Sequence, residues 1–139
     1  MQRKELQIEQ VVAPVTWHLR LEVMYPGGSL RDVQLPDDFE GVHFGAYLEN
    51  TLVGVISLFP DGKVAQFRKF AVKEYYQGQG IGRALLATVL TFCQTNGIEQ
   101  LWCHARTTAE GFYEQIGMRR VGDLFYRGTL TYYRMEIDV

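Results

Sequence analysis

The sequence predicts a mixed α/β fold of the α+β type, with helices covering a largely antiparallel sheet. Three observations carry this. Between residues 43 and 72, strand-like runs follow one another across tight-turn residues, the pattern of an antiparallel meander. Segments 81–95 and 107–117 instead repeat their apolar residues at helical spacing. A strand-like run at 98–104 lies between those helices, and a pair of runs closes the chain, so helices have a sheet to cover. At 139 residues and 47% hydrophobic, with eight Phe, eight Tyr and two Trp, the chain fits one domain with one core rather than a disordered state.

Taken in order, residues 6–12 read as a short strand. Pro14 suits the first turn of a helix through about Met24, with Val15, Leu19 and Val23 on one face, and Pro26-Gly27-Gly28 stops it. Residues 29–41 are turn-rich and acidic at Pro36-Asp37-Asp38, giving a surface loop or a short irregular helix. The meander occupies 43–48, 52–59 and 64–72, with turns at Glu49-Asn50 and Asp61-Gly62. After Gly78, Gly80 and Gly82, a helix over 81–95 aligns Ile81, Leu85, Thr88, Val89 and Phe92, and Asn96-Gly97 caps it. Residues 98–104 form a buried strand and 107–117 a helix ended by Gly117. Residues 118–126 and 129–137 form closing strands around Arg127-Gly128.

Fourteen Lys and Arg against sixteen Asp and Glu leave a net charge of −2. No global basic field is available for nucleic acid or anionic lipid, so any anion must be held by a local site. Cys93 and Cys103 lack the spacing of a zinc site or a disulfide framework, and clusters at metal-ligand spacing are absent, so no metal is expected. With no apolar signal region near the N-terminus and no membrane-length apolar run, a cytoplasmic protein that does not enter membranes is expected.

The chemistry concentrates in Phe70-Ala71-Val72-Lys73-Glu74-Tyr75-Tyr76-Gln77-Gly78-Gln79-Gly80-Ile81-Gly82-Arg83, a strand passing through a Gly-rich turn into a helix. Glycines expose consecutive N–H groups, and the helix start adds partial positive charge, which together make an anion cradle. Arg83, in the first turn, can add an ionic contact. A nucleotide-triphosphate loop needs Gly-Lys-Ser/Thr, whereas Gly82 is followed by Arg83-Ala84. A dinucleotide turn needs Gly or Ala where Arg83 stands and a strand that opens a βαβ unit.

These residues resemble the Gcn5-related N-acetyltransferase (GNAT) superfamily, whose signature Gln/Arg-x-x-Gly-x-Gly/Ala is matched by Gln77-x-x-Gly80-x-Gly82. A second match, Ala109-x-x-Phe112-Tyr113-x-x-x-Gly117-Met118, follows the family's Ala-x-x-Phe-Tyr-x-x-x-Gly-Phe segment, with Met118 in place of Phe. The resemblance runs from about Gly45 to the C-terminus. It implies a sheet splayed between the strands at 64–72 and 98–104, helices on both faces, and acetyl-CoA as cofactor. Its pyrophosphate would rest on backbone N–H groups of Gln77, Gly78, Gln79, Gly80, Ile81, Gly82 and Arg83. Its pantetheine arm would lie beside Phe70, Ala71, Val72 and Phe112. By the same resemblance the Val72 N–H donates to the thioester carbonyl and Tyr113 acts as general acid toward the departing sulfur.

The general base is less visible. Some family members carry a Glu on the strand before the Gly-rich loop, but here that strand has Gln66, Arg68 and Lys69. His104 has a suitable ordinary pKa, with Glu22, Glu74 and His43 as further candidates. The resemblance also places the first helix on the acceptor pocket, making Arg20 and Glu22 candidate acceptor contacts, with His43 a further candidate. Cys103 reads as buried filler rather than a nucleophile.

Two functions follow. One is transfer of an acetyl group from acetyl-CoA to a primary amine of a small molecule or peptide, by direct attack in a ternary complex. The other is a non-catalytic acyl-CoA-binding or sensing domain. A homodimer through the aromatic C-terminal strands is compatible with either. The acidic residues 36–40 offer a cationic amine a point of attraction, or are simply an exposed loop.

Overall fold

The computed structural model describes residues 5–139. Seven strands form one sheet in the order β1-β2-β3-β4-β5-β7-β6. They are β1 (Leu6–Val11), β2 (Val42–Leu48), β3 (Thr51–Asp61), β4 (Val64–Val72), β5 (Gln100–Arg106), β6 (Arg119–Arg127) and β7 (Leu130–Asp138). The helices are α1 (Ala13–Met24), α2 (Leu30–Val33), α3 (Ile81–Thr95) and α4 (Glu110–Ile116). All strand pairs are antiparallel except β4 with β5. That exception is forced, because α3 carries the chain across the sheet before β5 begins.

The larger core lies under α3. Leu85, Leu86 and Val89 pack on Ile56, Leu58 and Phe67 with no residual exposure beyond 3%. This cluster buries the apolar stripe that the sequence places on one face of 81–95. Opposite it, α1 packs Leu19 against Val55 and Ala71. The buried face of α1 is Ala13, Thr16, Leu19 and Arg20, whereas Val15 is exposed, so the face expected from Val15, Leu19 and Val23 is rotated. Two of its buried positions are polar, which a hydrophobicity pattern does not register.

Other boundaries shift for local reasons. The segment 29–41 contains α2, closed by a capping box between Ser29 and Asp32, and a 3₁₀ turn at Asp38–Glu40. The strand expected from residue 98 starts later, because the Ile98 N–H is used in leaving α3, on the Cys93 carbonyl at 3.0 Å. The helix expected from 107 begins as a 3₁₀ turn, Thr107–Ala109, before α4. Strand β6 forms one edge of the sheet, with Tyr126, Val121 and Leu124 exposed. No helix among the described residues is long and apolar enough to cross a membrane.

Candidate active site

The site begins where the sheet opens. Strands β4 and β5 pair only at Val64 with Gln100, Ala65 with Leu101 and Gln66 with Trp102, and then run on to Val72 and Arg106 without pairing. A bulge in β4 accompanies the divergence. Ser57 pairs with Arg68 and Val55 with Ala71, so Lys69 and Phe70 together face Ile56. Bulges bend and twist the strand that carries them. Lys69 takes a positive φ of 53°, a conformation costing a non-glycine residue about 1–3 kcal/mol unless its surroundings hold it. They do so here: its ammonium donates to the Tyr25 hydroxyl at 2.7 Å and stands 4.8 Å from the centre of the Tyr25 ring.

The extra residue also re-aims β4, bringing Phe70 onto the side of Phe67, with ring centres 6.0 Å apart. Beyond the bulge, the Lys73 N–H bonds the Val53 carbonyl at 2.9 Å, toward β3. Alternation along a strand therefore turns the Val72 N–H the other way, into the gap that β5 has left. On that same side the Val72 carbonyl accepts the Gln77 side-chain amide at 2.9 Å, which ties the Gly-rich loop to the strand end.

At the start of α3, Gly80 is the cap, with φ 85° and no side-chain hydrogen bond closing the helix. The first helical bond runs from the Ala84 N–H to the Gly80 carbonyl at 3.1 Å. The N–H groups of Ile81, Gly82 and Arg83 thus have no helical acceptor, and the helix dipole adds to their charge. These groups open onto a groove of about 600 Å³. Its floor is Phe70, Ala71 and Val72, its loop wall Gln77, Gly78, Gly80, Ile81 and Gly82, and its far wall Ala109, Phe112 and Tyr113. Arg83 spans it, donating to Gln115 on α4 at 3.3 Å. Gln79 is exposed and turns back to the Tyr75 carbonyl at 3.4 Å, off the groove wall.

Tyr113 is held by the way α4 ends. Gly117, at φ 106°, closes the helix, and the Met118 N–H returns to the Tyr113 carbonyl at 3.1 Å. Met118 is thereby buried, filling the place of the aromatic residue that the motif usually carries. The Tyr113 ring packs 5.9 Å from that of Phe67 and is 9% exposed. Burial, and secondarily the neighbouring Cys103, push its hydroxyl well above the ordinary tyrosine value, so it stays protonated.

A second groove, of about 540 Å³, lies on the other side of the gap. Phe70, Ala109 and Tyr113 line both grooves. The remaining wall comes from Val23, Met24 and Tyr25 at the end of α1, from Arg68 and Lys69, from Cys103 to Arg106, and from Leu130 and Tyr132. His104 lies here. Burial lowers its pKa first, and the nearby Arg127, Arg134 and Arg68 lower it further. Its Nδ1 accepts a hydrogen bond from Arg127 at 2.7 Å. A guanidinium only donates, so Nε2 carries the ring hydrogen, and His104 can take a proton only once Arg127 leaves Nδ1. Cys103 is 2% exposed, and burial pushes its thiol up to about 12, leaving no thiolate to act as nucleophile.

Three expected acceptor contacts lie elsewhere. Arg20 is fully buried, donating to both Asp38 oxygens at 2.8 and 3.0 Å, to the Val33 carbonyl at 2.9 Å and to Ser57 at 2.8 Å. It is a structural ion pair. His43 is 2% exposed, with Nδ1 2.7 Å from the Ser57 hydroxyl and Nε2 2.7 Å from the Asp38 carbonyl. Both ring nitrogens are engaged within the fold, so neither is turned toward a substrate. Glu22 lies on a separate groove with Lys73, Glu74 and Tyr75. The first helix does wall the second groove, but through its last apolar turn. Asp38 is likewise spent on Arg20, whereas Asp37 stays partly exposed and pairs with Arg68 at 3.6 Å.

A sheet split between the parallel strands β4 and β5, with an anion cradle at the following helix, is suited to an extended ligand that carries an anionic group. The family comparison makes this specific: residues 33–139 match the model described as an acetyltransferase (GNAT) domain, and the chain belongs to that family. An uncharacterised Bacillus subtilis N-acetyltransferase, YitI, is 24% identical over 129 residues, covering 86% of this chain and 87% of that one. A crystal structure of a candidate N-acetyltransferase from Lactobacillus plantarum superposes with a TM-score of 0.85 at 22% identity, covering 96% of this chain and 97% of the other. A GNAT acetyltransferase from Elizabethkingia anophelis with acetyl-CoA bound gives 0.76 at 20% identity, covering 99% and 100%. These structural likenesses carry the fold.

Proposed function

We propose that this acetyltransferase moves the acetyl group of acetyl-CoA directly onto a primary amine in a ternary complex. One observation carries the reading: Tyr113 and Phe70 face both grooves beyond the point where the β4–β5 ladder has stopped, so donor and acceptor can meet there. The B. subtilis relative's description as an N-acetyltransferase and the acetyl-CoA held by the E. anophelis protein support it.

The cradle fits the cofactor: a row of unpartnered N–H groups without a capping side chain suits a pyrophosphate, and the groove suits an extended arm. Bound acetyl-CoA supplies the activated acyl carbon. Ile81, Gly82 and Arg83 hold the diphosphate through the main chain. The Val72 N–H donates to the carbonyl oxygen as negative charge grows on it, and the Tyr113 hydroxyl donates to the departing sulfur. The amine must arrive neutral or lose its proton in the second groove. His104 is a base there only if Arg127 moves, and otherwise water takes the proton.

Purified protein, acetyl-CoA and a panel of amines are expected to release free CoA and acetylated amine. Saturable acetyl-CoA binding with no acetylation of any amine would instead favour a sensing domain. Gly80→Asn keeps the left-handed cap while placing a side chain at the cradle, and is expected to weaken acetyl-CoA about tenfold or more with little change in melting temperature. Gly80→Val adds backbone strain and is expected to lower both. Unchanged affinity in both variants, by calorimetry, contradicts this placement of the pyrophosphate. Cys103→Ser is expected to keep acetyl transfer within about threefold, because a thiol held protonated contributes nothing as a nucleophile. An acetylated Cys103 in a quenched reaction, seen by mass spectrometry, would overturn direct transfer.

A further inference from the structure

We propose that the acceptor is a small primary amine that also carries an oxyanion, and that Lys69, Arg106 and Arg127 bind this oxyanion where the second groove meets the pocket that continues it. The amine half of this inference rests on the transferase reading above. The anion half rests on the groove.

The chain as a whole is acidic, with a net charge of −2, yet this groove is not. Arg68, Lys69 and Arg106 line it, and the pocket that continues it adds Arg127. No Asp or Glu lines either cavity. Two nearby guanidiniums are balanced, Arg68 by Asp37 at 3.6 Å and Arg134 by Glu136 at 3.4 Å. Among the described residues, Lys69, Arg106 and Arg127 have no carboxylate within ion-pair distance.

Neutral and aromatic groups hold them instead. Lys69 donates to the Tyr25 hydroxyl at 2.7 Å. Arg106 and Arg127 lie 6.0 and 5.2 Å from the centre of the same ring, that of Tyr132, and Arg127 also donates to His104 at 2.7 Å. The three cations come from the bulge of β4, the end of β5 and the end of β6, which are distant in sequence. Like charges gathered in a concave, aromatic-walled site repel one another and focus a positive field into it. Of the three, Arg127 acts directly on His104, whose pKa is lowered first by burial and then by Arg127, Arg134 and Arg68. An entering oxyanion relieves the repulsion and finds guanidinium donors still to satisfy. A polyamine or a basic peptide would add to the repulsion. A cavity of about 540 Å³ suits a small molecule.

The test titrates the protein with CoA present and no acetyl donor, so that binding is read without turnover. The probes are L-glutamate and L-phenylalanine against their carboxamides, O-phosphoethanolamine against ethanolamine, and spermidine. Acids are expected to bind about tenfold or more tightly than their neutral partners, with spermidine weakest. The carboxylate and phosphate arms then tell which oxyanion is preferred. Arg106→Gln and Arg127→Gln are each expected to weaken the acids about tenfold while leaving acetyl-CoA affinity and melting temperature unchanged. In acetylation assays the same ranking should appear in kcat/KM. Intrinsic reactivity runs the other way, because a neighbouring carboxylate raises the amine's pKa and leaves less of it neutral.

Equal or tighter binding of carboxamides, ethanolamine or spermidine overturns the inference, as does acid binding indifferent to both substitutions. An acid that binds through Arg106 and Arg127 but is never acetylated leaves the oxyanion site standing and removes the transferase reading instead.

Discussion

Tyr113→Phe is expected to lower kcat about 10²–10³-fold while acetyl-CoA affinity changes less than about threefold. The substitution removes one oxygen and keeps the ring that packs on Phe67 and Phe112, so the fold has no reason to change. The expected size follows from what the hydroxyl can do. Burial holds its pKa above the ordinary value, so complete transfer of its proton would leave a tyrosinate in an apolar site. Tyr113 therefore acts chiefly by donating a hydrogen bond to the leaving sulfur, an interaction made fully only in the transition state. It should also remain protonated across the whole assay range, so the pH dependence of kcat/KM belongs to the amine and its proton acceptor. Steady-state kinetics with calorimetric acetyl-CoA binding checks this, and a Phe variant within about threefold of the parent kcat removes Tyr113 from the reaction.

Arg20→Ala is expected to destabilise the protein by about 3–5 kcal/mol, lowering the melting temperature by about 10 °C or more. This is a large share of the roughly 5–15 kcal/mol that a domain of ordinary stability has. The loss comes from what is left behind. Arg20 meets both Asp38 oxygens, and Asp38 also accepts from the Leu35 N–H and the Trp17 indole at 3.0 Å. Without the guanidinium, a carboxylate that is 1% exposed has lost its counter-charge. Arg20→Met with Asp38→Leu, which removes both charges, is expected to cost much less than Arg20→Ala alone.

The pH dependence has opposite signs in the two proteins. In the parent, burial would raise the Asp38 pKa, but hydrogen bonds from Arg20, Leu35 and Trp17 outweigh it and hold the carboxyl below its ordinary 3.8. Its contribution is then present above that value and lost as the pH falls toward the lower folded one. In Arg20→Ala burial dominates, the folded pKa rises above 3.8, and stability falls as the pH rises through that range. Urea denaturation at several pH values between about 3 and 6 separates these slopes, and a variant as stable as the parent throughout would show the pair to be dispensable.

Much of the cofactor side was legible because its determinants are local. The three glycines at 78, 80 and 82, followed by an apolar helical stripe, specify a strand, an uncapped helix start and free N–H groups within a single stretch of chain. Gly117 likewise announces the end of α4 a few residues beyond Tyr113. The acceptor side was not legible in this way. Arg68 and Lys69 were visible only as a departure from a family pattern, and nothing nearby in the chain pointed to Arg106, Arg127 or Tyr132 as their neighbours.

Periodicity and turn chemistry therefore determined the order of the elements, the antiparallel meander and the cradle, because these arise from interactions a few residues apart. Only the tertiary structure decided which charges face each other. It buried Arg20 on Asp38, closed both nitrogens of His43, and brought cations from three strands onto two adjoining cavities. Charge pairing depends on distance in space and on local dielectric, and neither is written in the spacing of residues along a chain.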